Sequence, residues 1–237
     1  MKKFENYISL GYFCSPAMDL ERLRLRNTSS PFDWEISDLR GEIDAIDNQF
    51  EDFLSYDNLI QSEKYRNHYY DKKYRIFFFH DFNDHDPLKV QYPEIKEKYN
   101  RRIERFLNNI KQPTLFFRYI NNERDSLDEL NYINNNLDHI MSVLKKYNPH
   151  NEIIWIGNNG ISSDKINIFN VEKDIDDVVC RTPLTSNANL YNFIQQLPVE
   201  NKDYNIKRYE KKQKSKKINQ IINKFTKFKL SKIAISN

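Results

Sequence analysis

Short apolar runs alternate with longer stretches of helical spacing along most of this chain. Runs of strand length cover residues 7–10, 74–79, 114–117, 152–157 and 166–171. Apolar residues recur at helical spacing across residues 39–54, 93–110, 126–146 and 187–197. Unbroken apolar runs are typical of strands that are buried on both faces, as in a parallel sheet. The pattern predicts an α/β fold of three layers, in which helices flank a mostly parallel sheet, with a basic amphipathic helix at the C-terminal end.

The charge distribution separates the C-terminal tail from the rest of the chain. Residues 202–237 hold twelve basic and two acidic residues, a net charge of +10, whereas the first 201 residues have a net charge of −7. Apolar residues recur at helical spacing between the lysines of the tail: Ile218, Ile221, Ile222, Phe225, Phe228 and Ile233. We therefore expect an α/β catalytic-type domain, residues 1–200, followed by a basic amphipathic tail, residues 201–237.

An apolar face opposite a basic face is suited to an interfacial helix on an anionic membrane. The same pattern is compatible with a helix that docks on the core. Nucleic acid is a less favoured partner, because aromatic residues are not interleaved along a sheet face. With two cysteines, an N-terminus unlike a secretory signal and no apolar run of membrane-spanning length, we expect free thiols and a cytoplasmic protein, peripheral at the inner membrane face.

The first strand leads into a turn and a helix start with a thiol between them. Gly11 suits a sharp exit from the strand, and Ser15 followed by Pro16 is typical of the start of a helix. Cys14 is thus expected just before a helix N-terminus, where the backbone N–H groups favour the nucleophilic thiolate. The alternative is that Cys14 is a small buried apolar residue, as free cysteines often are.

Acidic residues follow large aromatic residues at two places in the chain. Asp33 lies between Phe32 and Trp34, which either tunes the pKa of its carboxyl or makes it a cap for the next segment. A polar cluster follows the apolar run at 74–79 and contains His80, Asp81, Asp84, His85 and Asp86. Imidazoles and carboxylates can bind divalent metals, but the cluster has no recognised metal-ligand spacing, so we expect no metal or other cofactor.

Three arginines are candidates for binding phosphate or carboxylate groups. Arg101 and Arg105 share a helix face, and Arg118 follows the apolar run at 114–117. A guanidinium fork matches the oxygens of either anion. Glu97 lies one turn before Arg101, so an ordinary exposed ion pair is the alternative.

Taken in order, these motifs resemble a known bacterial family. The pattern Ser9-Leu10-Gly11-x-x-Cys14, the run Pro31-Phe32-Asp33-Trp34, His80-Asp81-Phe82, then Tyr99-x-Arg101-Arg102-x-x-Arg105-Phe106 and Arg118 is similar to the bacterial family catalogued as papain-like cysteine peptidases. The resemblance covers residues 7–157. It implies a cysteine nucleophile at Cys14 and a histidine base at His80, oriented by Asp81 or Asp84, or out of chain order by Asp33.

The resemblance and the residues together favour a cysteine-dependent hydrolase or acyl transferase. Ser9, Gly11 and Trp34, with the arginines Arg101, Arg105 and Arg118, are the expected substrate contacts. The expected substrate is a small molecule, peptide or glycan. The alternatives are a transferase that modifies bacterial surface polysaccharide or its phosphorylated precursor, and a non-catalytic binding module with an unreactive thiol.

Overall fold

The computed structural model describes residues 3–122, 127–158, 160–174, 179–198, 205–207 and 209–217. The strands are β1 (Asn6–Ser9), β2 (Ile36–Ser37), β3 (Leu59–Gln61), β4 (Tyr69–Asp71), β5 (Ile76–Phe78), β6 (Thr114–Tyr119), β7 (Glu152–Asn158) and β8 (Ile168–Val171). The α-helices are α1 (Ser15–Arg22), α2 (Leu39–Asp47), α3 (Leu88–Asn109), α4 (Asp128–Tyr147), α5 (Pro183–Ser186) and α6 (Ala188–Gln195).

Four strands form a parallel sheet in the order β1-β6-β7-β8. Ile8 lies opposite Phe116, and Phe117 lies opposite Ile154. Every residue of β6 is buried, because one hydrophobic cluster covers each face of the sheet. Phe116 belongs to one cluster, while Leu115 and Phe117 belong to the other. The predicted α/β class is therefore confirmed, together with a parallel sheet in which β8 lies at an edge.

The other four strands form a separate antiparallel sheet in the order β2-β5-β4-β3. The apolar run at 74–79 supplies β5, which pairs antiparallel with β2 and β4. The expectation of a mostly parallel sheet that includes this run was wrong. Ile76 and Phe78 are fully buried, whereas Phe77 and Phe79 are half-buried among other aromatic rings. Because aromatic residues occupy both faces, the alternation expected of an antiparallel strand is hidden in the sequence.

Most helix predictions differ from the structure only at their ends, but α2 is shorter than predicted. It ends at Asp47, although the apolar spacing continues to Leu54. Gln49, Phe50 and Leu54 instead have positive φ, so the chain turns repeatedly after the helix. Phe50, Phe53 and Leu54 are buried in the core, which explains why they imitate a helical stripe.

The chain divides into two compact units, residues 1–199 and residues 200–237. The first unit contains both sheets, and the second contains helical residues 205–207 and 209–217. The apolar positions of the tail, from Ile218 onward, lie outside the described residues, so the amphipathic helix stays a prediction. Within the part of the chain that the structure describes, no helix has the length and hydropathy needed to cross a membrane.

Candidate active site

Cys14 lies between strand β1 of the parallel sheet and helix α1. The residue is the N-cap of α1, and its carbonyl oxygen accepts a hydrogen bond from the Met18 N–H at 3.0 Å. Pro16 occupies the first turn, as the sequence predicted. The thiol is half-buried, and both Cys14 and Cys180 are free thiols, as predicted.

The surroundings of Cys14 favour a protonated thiol. Burial raises its pKa above the ordinary value, the backbone amide of Cys14 acts in the opposite direction, and a negative charge on Glu35 would add to the rise. The sequence predicted a thiolate at this position. Desolvation outweighs the favourable backbone dipoles here, so a base must remove the proton during a reaction.

Two contacts bring other segments beside Cys14. The Ser37 N–H donates to the Tyr12 carbonyl at 3.1 Å, which aligns the chain after Gly11 with β2. The Phe13 and Phe79 rings stack with centroids 6.0 Å apart, which brings the end of β5 to the same place. His80 follows Phe79 and is exposed. Among the described residues, His80 and Cys14 share no hydrogen bond, although they lie on the adjacent segments that Phe13 and Phe79 bring together.

Glu35 is the centre of a buried polar network beside Cys14. Its carboxyl is fully buried, and Oε1 is hydrogen-bonded to the Tyr99 hydroxyl. The same hydroxyl donates to Asp81 Oδ2 at 2.7 Å, and Asp81 Oδ1 pairs with the Lys98 ammonium. The Arg102 guanidinium lies over the Tyr99 ring, 4.9 Å from its centroid. The predicted residue Asp81 is thus tied to Glu35 through a tyrosine.

Asp33 lies in a loop whose side chains pair with other residues of the same loop. Its carboxylate pairs with Arg26 and accepts the Ser30 N–H at 2.7 Å. Arg26 also donates to Ser29 Oγ at 3.0 Å and lies over the Trp34 ring, 5.5 Å from its centroid. Both partners precede Asp33 in the chain, so these contacts close the loop and do not cap the segment that follows. The motif around Asp33 and Trp34 therefore fixes the loop that leads directly to Glu35.

Ser9 and Gly11 shape the turn that leads from β1 to Cys14. The Ser9 hydroxyl accepts the Gly11 N–H at 3.2 Å, and Gly11 has a φ of 63°. A Cβ at Gly11 would lie 2.2 Å from Ser37 Oγ and 3.2 Å from Arg118 Nη1, so only glycine fits this turn.

Arg118 is fully buried beneath that turn. Its guanidinium donates to Glu129 through Nε and Nη2, at 2.8 and 2.5 Å, and Nη1 lies 3.3 Å from Glu42 Oε1. It also donates to the carbonyl oxygens of Leu10 and Ser37. These bonds join β1, β2, α2 and α4, so the side chain already has protein partners for its donors.

The two predicted arginines on α3 do not converge on Cys14. Arg101 is exposed and pairs with Glu97, which matches the ion-pair alternative of the sequence analysis. Arg105 is also exposed. Arg102, between them in the sequence, is the arginine that faces the buried network.

Asp84, His85 and Asp86, which follow β5, are exposed and make contacts within their own loop. His85 pairs with Asp84 at 3.2 Å, and the Asn83 side chain donates to Asp86 at 3.1 Å. Among the residues that the structure describes, no group of three or more histidine, cysteine or acidic side chains could hold a metal ion. A cavity of about 380 Å³ adjoins this loop, but neither Cys14 nor His80 lines it.

Sequence reasoning missed Glu35, Lys98 and the hydrogen bonds that the Tyr99 hydroxyl makes with Glu35 and Asp81. Glu35 and Tyr99 are 64 residues apart, and no local pattern links them. A partial signal exists in the helical spacing of Tyr99 and Arg102, which places both on one face of α3. Glu35 gives a second signal, since it directly follows the Phe32-Asp33-Trp34 run.

Comparison with known proteins supports the resemblance carried by these motifs. The chain is 33% identical over 120 residues to "Uncharacterized protein R408" of Acanthamoeba polyphaga mimivirus, an alignment that covers 42% of this chain and 54% of that protein. The chain thus spans about half the length of the curated relative it matches. No solved structure matches it. A family profile matches residues 5–148, more than half of the chain, and this protein therefore belongs to the family described as "Putative papain-like cysteine peptidase (DUF1796)".

Proposed function

We propose that this protein is a cysteine-dependent hydrolase or acyl transferase, with Cys14 as the nucleophile and His80 as the acid–base group. The observation that carries the proposal is the position of the half-buried Cys14 thiol at the start of α1, beside the end of β5. Family membership supports the same chemistry, because the family is described as papain-like cysteine peptidases.

Two histidines lie near the end of β5, where the Phe79 ring contacts both His68 and Phe13. Burial lowers the pKa of His68, and the neighbouring His80 lowers it further, so the two imidazoles lie near each other at the end of β5. His80 is the exposed one, so its ring can reach a substrate that enters from solvent. Catalytic hydrogen bonds are often long in the free enzyme and shorten when substrate binds.

The reaction would proceed through an acyl-enzyme. Cys14 Sγ passes its proton to His80 and attacks a substrate carbonyl carbon, so a C–S bond forms and the carbonyl oxygen becomes negative. Backbone N–H groups at the start of α1 stabilise this oxygen. The bond to the leaving group then breaks as protonated His80 supplies a proton to the leaving atom. Neutral His80 next takes a proton from water or another acceptor, which attacks the thioester and releases Cys14.

The test is acyl transfer to Cys14 from activated acyl esters and peptide thioesters, followed by intact-protein mass spectrometry. In a Cys180→Ala background, we expect one acyl group on Cys14 and none on the Cys14→Ala variant. His80→Ala should retain the acyl group and lose turnover by a factor of about 10² to 10⁴, because water is no longer activated. His150→Ala, which removes an exposed histidine from the turn before β7, should behave as the parent.

The proposal is wrong if Cys14→Ala is acylated and turns over at the parental rate. It is also wrong if Cys14 reacts no faster than a free cysteine in every variant. Adding hydroxyl or amine acceptors during turnover distinguishes the two activities, because a transferase forms the new ester or amide in preference to the free acid.

A further inference from the structure

The antiparallel sheet has an open edge at β3. This strand is the last in the order β2-β5-β4-β3, so it pairs with β4 on one side only. The register places Leu59 opposite Asp71, Ile60 opposite Tyr70 and Gln61 opposite Tyr69. Backbone groups on the other side of β3 therefore point away from the sheet, where another chain can pair with them.

A hydrogen bond just beyond β3 shows which backbone groups point outward. The Ser62 N–H donates to the His68 carbonyl at 2.9 Å, so these two residues form a hydrogen-bonded pair. Bonded and non-bonded pairs alternate along an antiparallel ladder. Ile60 therefore lies in the next bonded pair, whereas Leu59 and Gln61 lie at non-bonded positions with their N–H and C=O groups directed outward.

Most of these outward groups are available for pairing. The Leu59 N–H donates to the Tyr56 carbonyl. The Leu59 carbonyl and both backbone groups of Gln61 make no hydrogen bond within the part of the chain that the structure describes. The edge thus offers a donor between two acceptors, which is the pattern that an added strand requires.

A cavity of about 380 Å³ lies against the same strand. Leu59 and Gln61 line one side of it, and the buried Tyr69 of β4 also belongs to the lining. Side chains alternate between the two faces of a strand, so Leu59 and Gln61 share the cavity face and Ile60 lies on the other. A strand added beside β3 has the same alternation, which points every second side chain toward the cavity.

The charges that line the cavity favour a basic side chain. Asp84 and Asp86 contribute two carboxylates, and Arg66 contributes one guanidinium. The loop with the carboxylates is held in place, because Asn83 Oδ1 accepts the Asp86 N–H at 2.8 Å and Gln91 Nε2 donates to the Asp86 carbonyl at 2.7 Å. Groups that are already held in place lose little conformational freedom on binding. Arg66, in contrast, is exposed in the turn between β3 and β4.

The other face of β3 carries an exposed apolar residue. Ile60 is 53% exposed. It lies opposite Tyr70, which in turn lies opposite Phe77, and both aromatic residues are half-buried. Apolar side chains of an added strand would extend this row and remove Ile60 from water.

We propose that the edge of β3 and the adjoining cavity bind an extended peptide, which adds a strand to the antiparallel sheet. The peptide backbone bonds to the Leu59 carbonyl and to both backbone groups of Gln61. A lysine or arginine of the peptide enters the cavity toward Asp84 and Asp86. The residues before and after that basic residue are apolar and pack beside Ile60.

This site is separate from the proposed catalytic residues. Neither Cys14 nor His80 lines the cavity. Binding at β3 therefore does not depend on the proposed function, and Cys14→Ala should bind the peptide as the parent does.

The test is fluorescence anisotropy with the peptide Gly-Thr-Val-Lys-Val-Thr-Gly, labelled with fluorescein at its N-terminus. We expect saturable binding, and about tenfold weaker binding or less when glutamate replaces the lysine of the peptide. Asp84→Asn combined with Asp86→Asn should lower the affinity for the lysine peptide by a similar factor. The matched control is Asp138→Asn combined with Asp164→Asn, which removes two exposed carboxylates elsewhere and should bind as the parent does.

A second pair of variants tests the backbone bonds. Gln61→Pro removes the outward N–H without breaking a bond to β4, because proline is tolerated on an edge strand where the N–H faces solvent. Gln61→Ala keeps the N–H and removes only the side chain. We expect Gln61→Pro to lower the affinity by about tenfold or more and Gln61→Ala to bind within about threefold of the parent.

Methylated peptides give the same test without changing the protein. One peptide carries N-methyl groups on its lysine and threonines, and the other carries them on its valines. Alternate N–H groups of an added strand face β3, so only one of the two peptides should lose binding. Where thermal unfolding shows that Gln61→Pro does not fold, this pair decides.

The outcomes distinguish strand addition from other forms of binding. Equal affinities of the two methylated peptides overturn the proposal, and so does an unchanged affinity in folded Gln61→Pro. If Cys14→Ala abolishes binding, the peptide occupies the candidate active site, so strand addition at β3 is wrong and the proposed function stands. A protein that does not bind the peptide but forms a dimer that Gln61→Pro dissociates also overturns the proposal, since a second copy then covers the edge.

Discussion

Glu42 is a buried carboxyl whose proton should control the pH dependence of stability. It shares the Arg118 guanidinium with Glu129, and its Oε1 accepts a hydrogen bond from the Ser37 hydroxyl. Burial raises the pKa of Glu42 to about 8, even though Arg118 and Ser37 act to lower it. Since Glu129 already balances Arg118, the folded protein holds Glu42 in its neutral form at pH 7.

The sign of the effect follows from the raised pKa. The folded state binds the Glu42 proton more tightly than the unfolded chain does. The stability that this proton contributes is therefore complete at low pH and is lost as the pH rises toward 8. The free energy of unfolding of wild type should therefore fall by about 2 kcal/mol relative to Glu42→Gln between pH 5 and pH 7. Urea unfolding of both proteins at the two pH values measures this difference. An unchanged gap would mean that Glu42 is ionised in the fold.

The loop from Arg26 to Trp34 is the element that delivers Glu35 to the candidate site. Asp33 is buried, and Arg26 is its cationic partner. Arg26→Ala leaves a buried carboxylate without its cation, which typically costs about 3–5 kcal/mol of unfolding free energy. Arg101→Ala is the matched control, because it removes an arginine from an exposed ion pair with Glu97, for which about 0.2–1 kcal/mol is typical. If urea unfolding shows that Arg26→Ala and Arg101→Ala lose the same unfolding free energy, the ion pair of Arg26 with Asp33 has no structural role.

The helices and central strands were readable from the sequence because local periodicity determines them. α3, β6 and β7 each follow the predicted stretch within a few residues. The antiparallel sheet was not readable, since Phe77 and Phe79 are as apolar as Ile76 and Phe78 although they face the opposite side. Pairing of β5 with β2 and β4 depends on contacts that are distant in the chain.

The candidate site could be predicted only in part, because some of its contacts also join residues that are distant in the chain. Cys14 is marked by a strand, a glycine turn and a proline in adjacent positions, all of which the sequence displays. Glu35, Tyr99 and Asp81 meet across 18 to 64 residues. A buried glutamate also looks like a surface residue in a hydropathy pattern. Arg118 was predicted to bind substrate, but it lies within β6 and its guanidinium pairs with Glu42 and Glu129 in the core.

At the scale of the whole molecule, the two ends of the chain differ in charge. The first 201 residues have a net charge of −7, and residues 202–237 have a net charge of +10. Within the tail, the helical residues 209–217 include an exposed cluster of lysines: Lys211, Lys214, Lys216 and Lys217. An acidic domain is repelled by an anionic surface, so attraction to such a surface must come from the tail.

We expect the protein, with its tail, to bind vesicles that contain 30% phosphatidylserine and not vesicles of phosphatidylcholine alone. Each lysine near an anionic membrane contributes on the order of 1 kcal/mol. Replacing Lys211, Lys214, Lys216 and Lys217 by glutamine should therefore lower the affinity by at least a hundredfold, as measured by vesicle sedimentation. The matched control replaces Lys64, Lys72, Lys89 and Lys111 of the first unit, all exposed, and should bind as wild type does.

Salt dependence separates the electrostatic part of this binding from the apolar part. Raising the ionic strength shortens the range of the lysine attraction to a few ångströms, whereas burial of Ile218, Ile222 and Phe225 in the bilayer is insensitive to salt. Binding that weakens with salt but persists on anionic vesicles indicates that both faces of the tail contribute. Equal binding to neutral and anionic vesicles would contradict the basic-face interpretation, and no binding to either would favour a tail that docks on the protein.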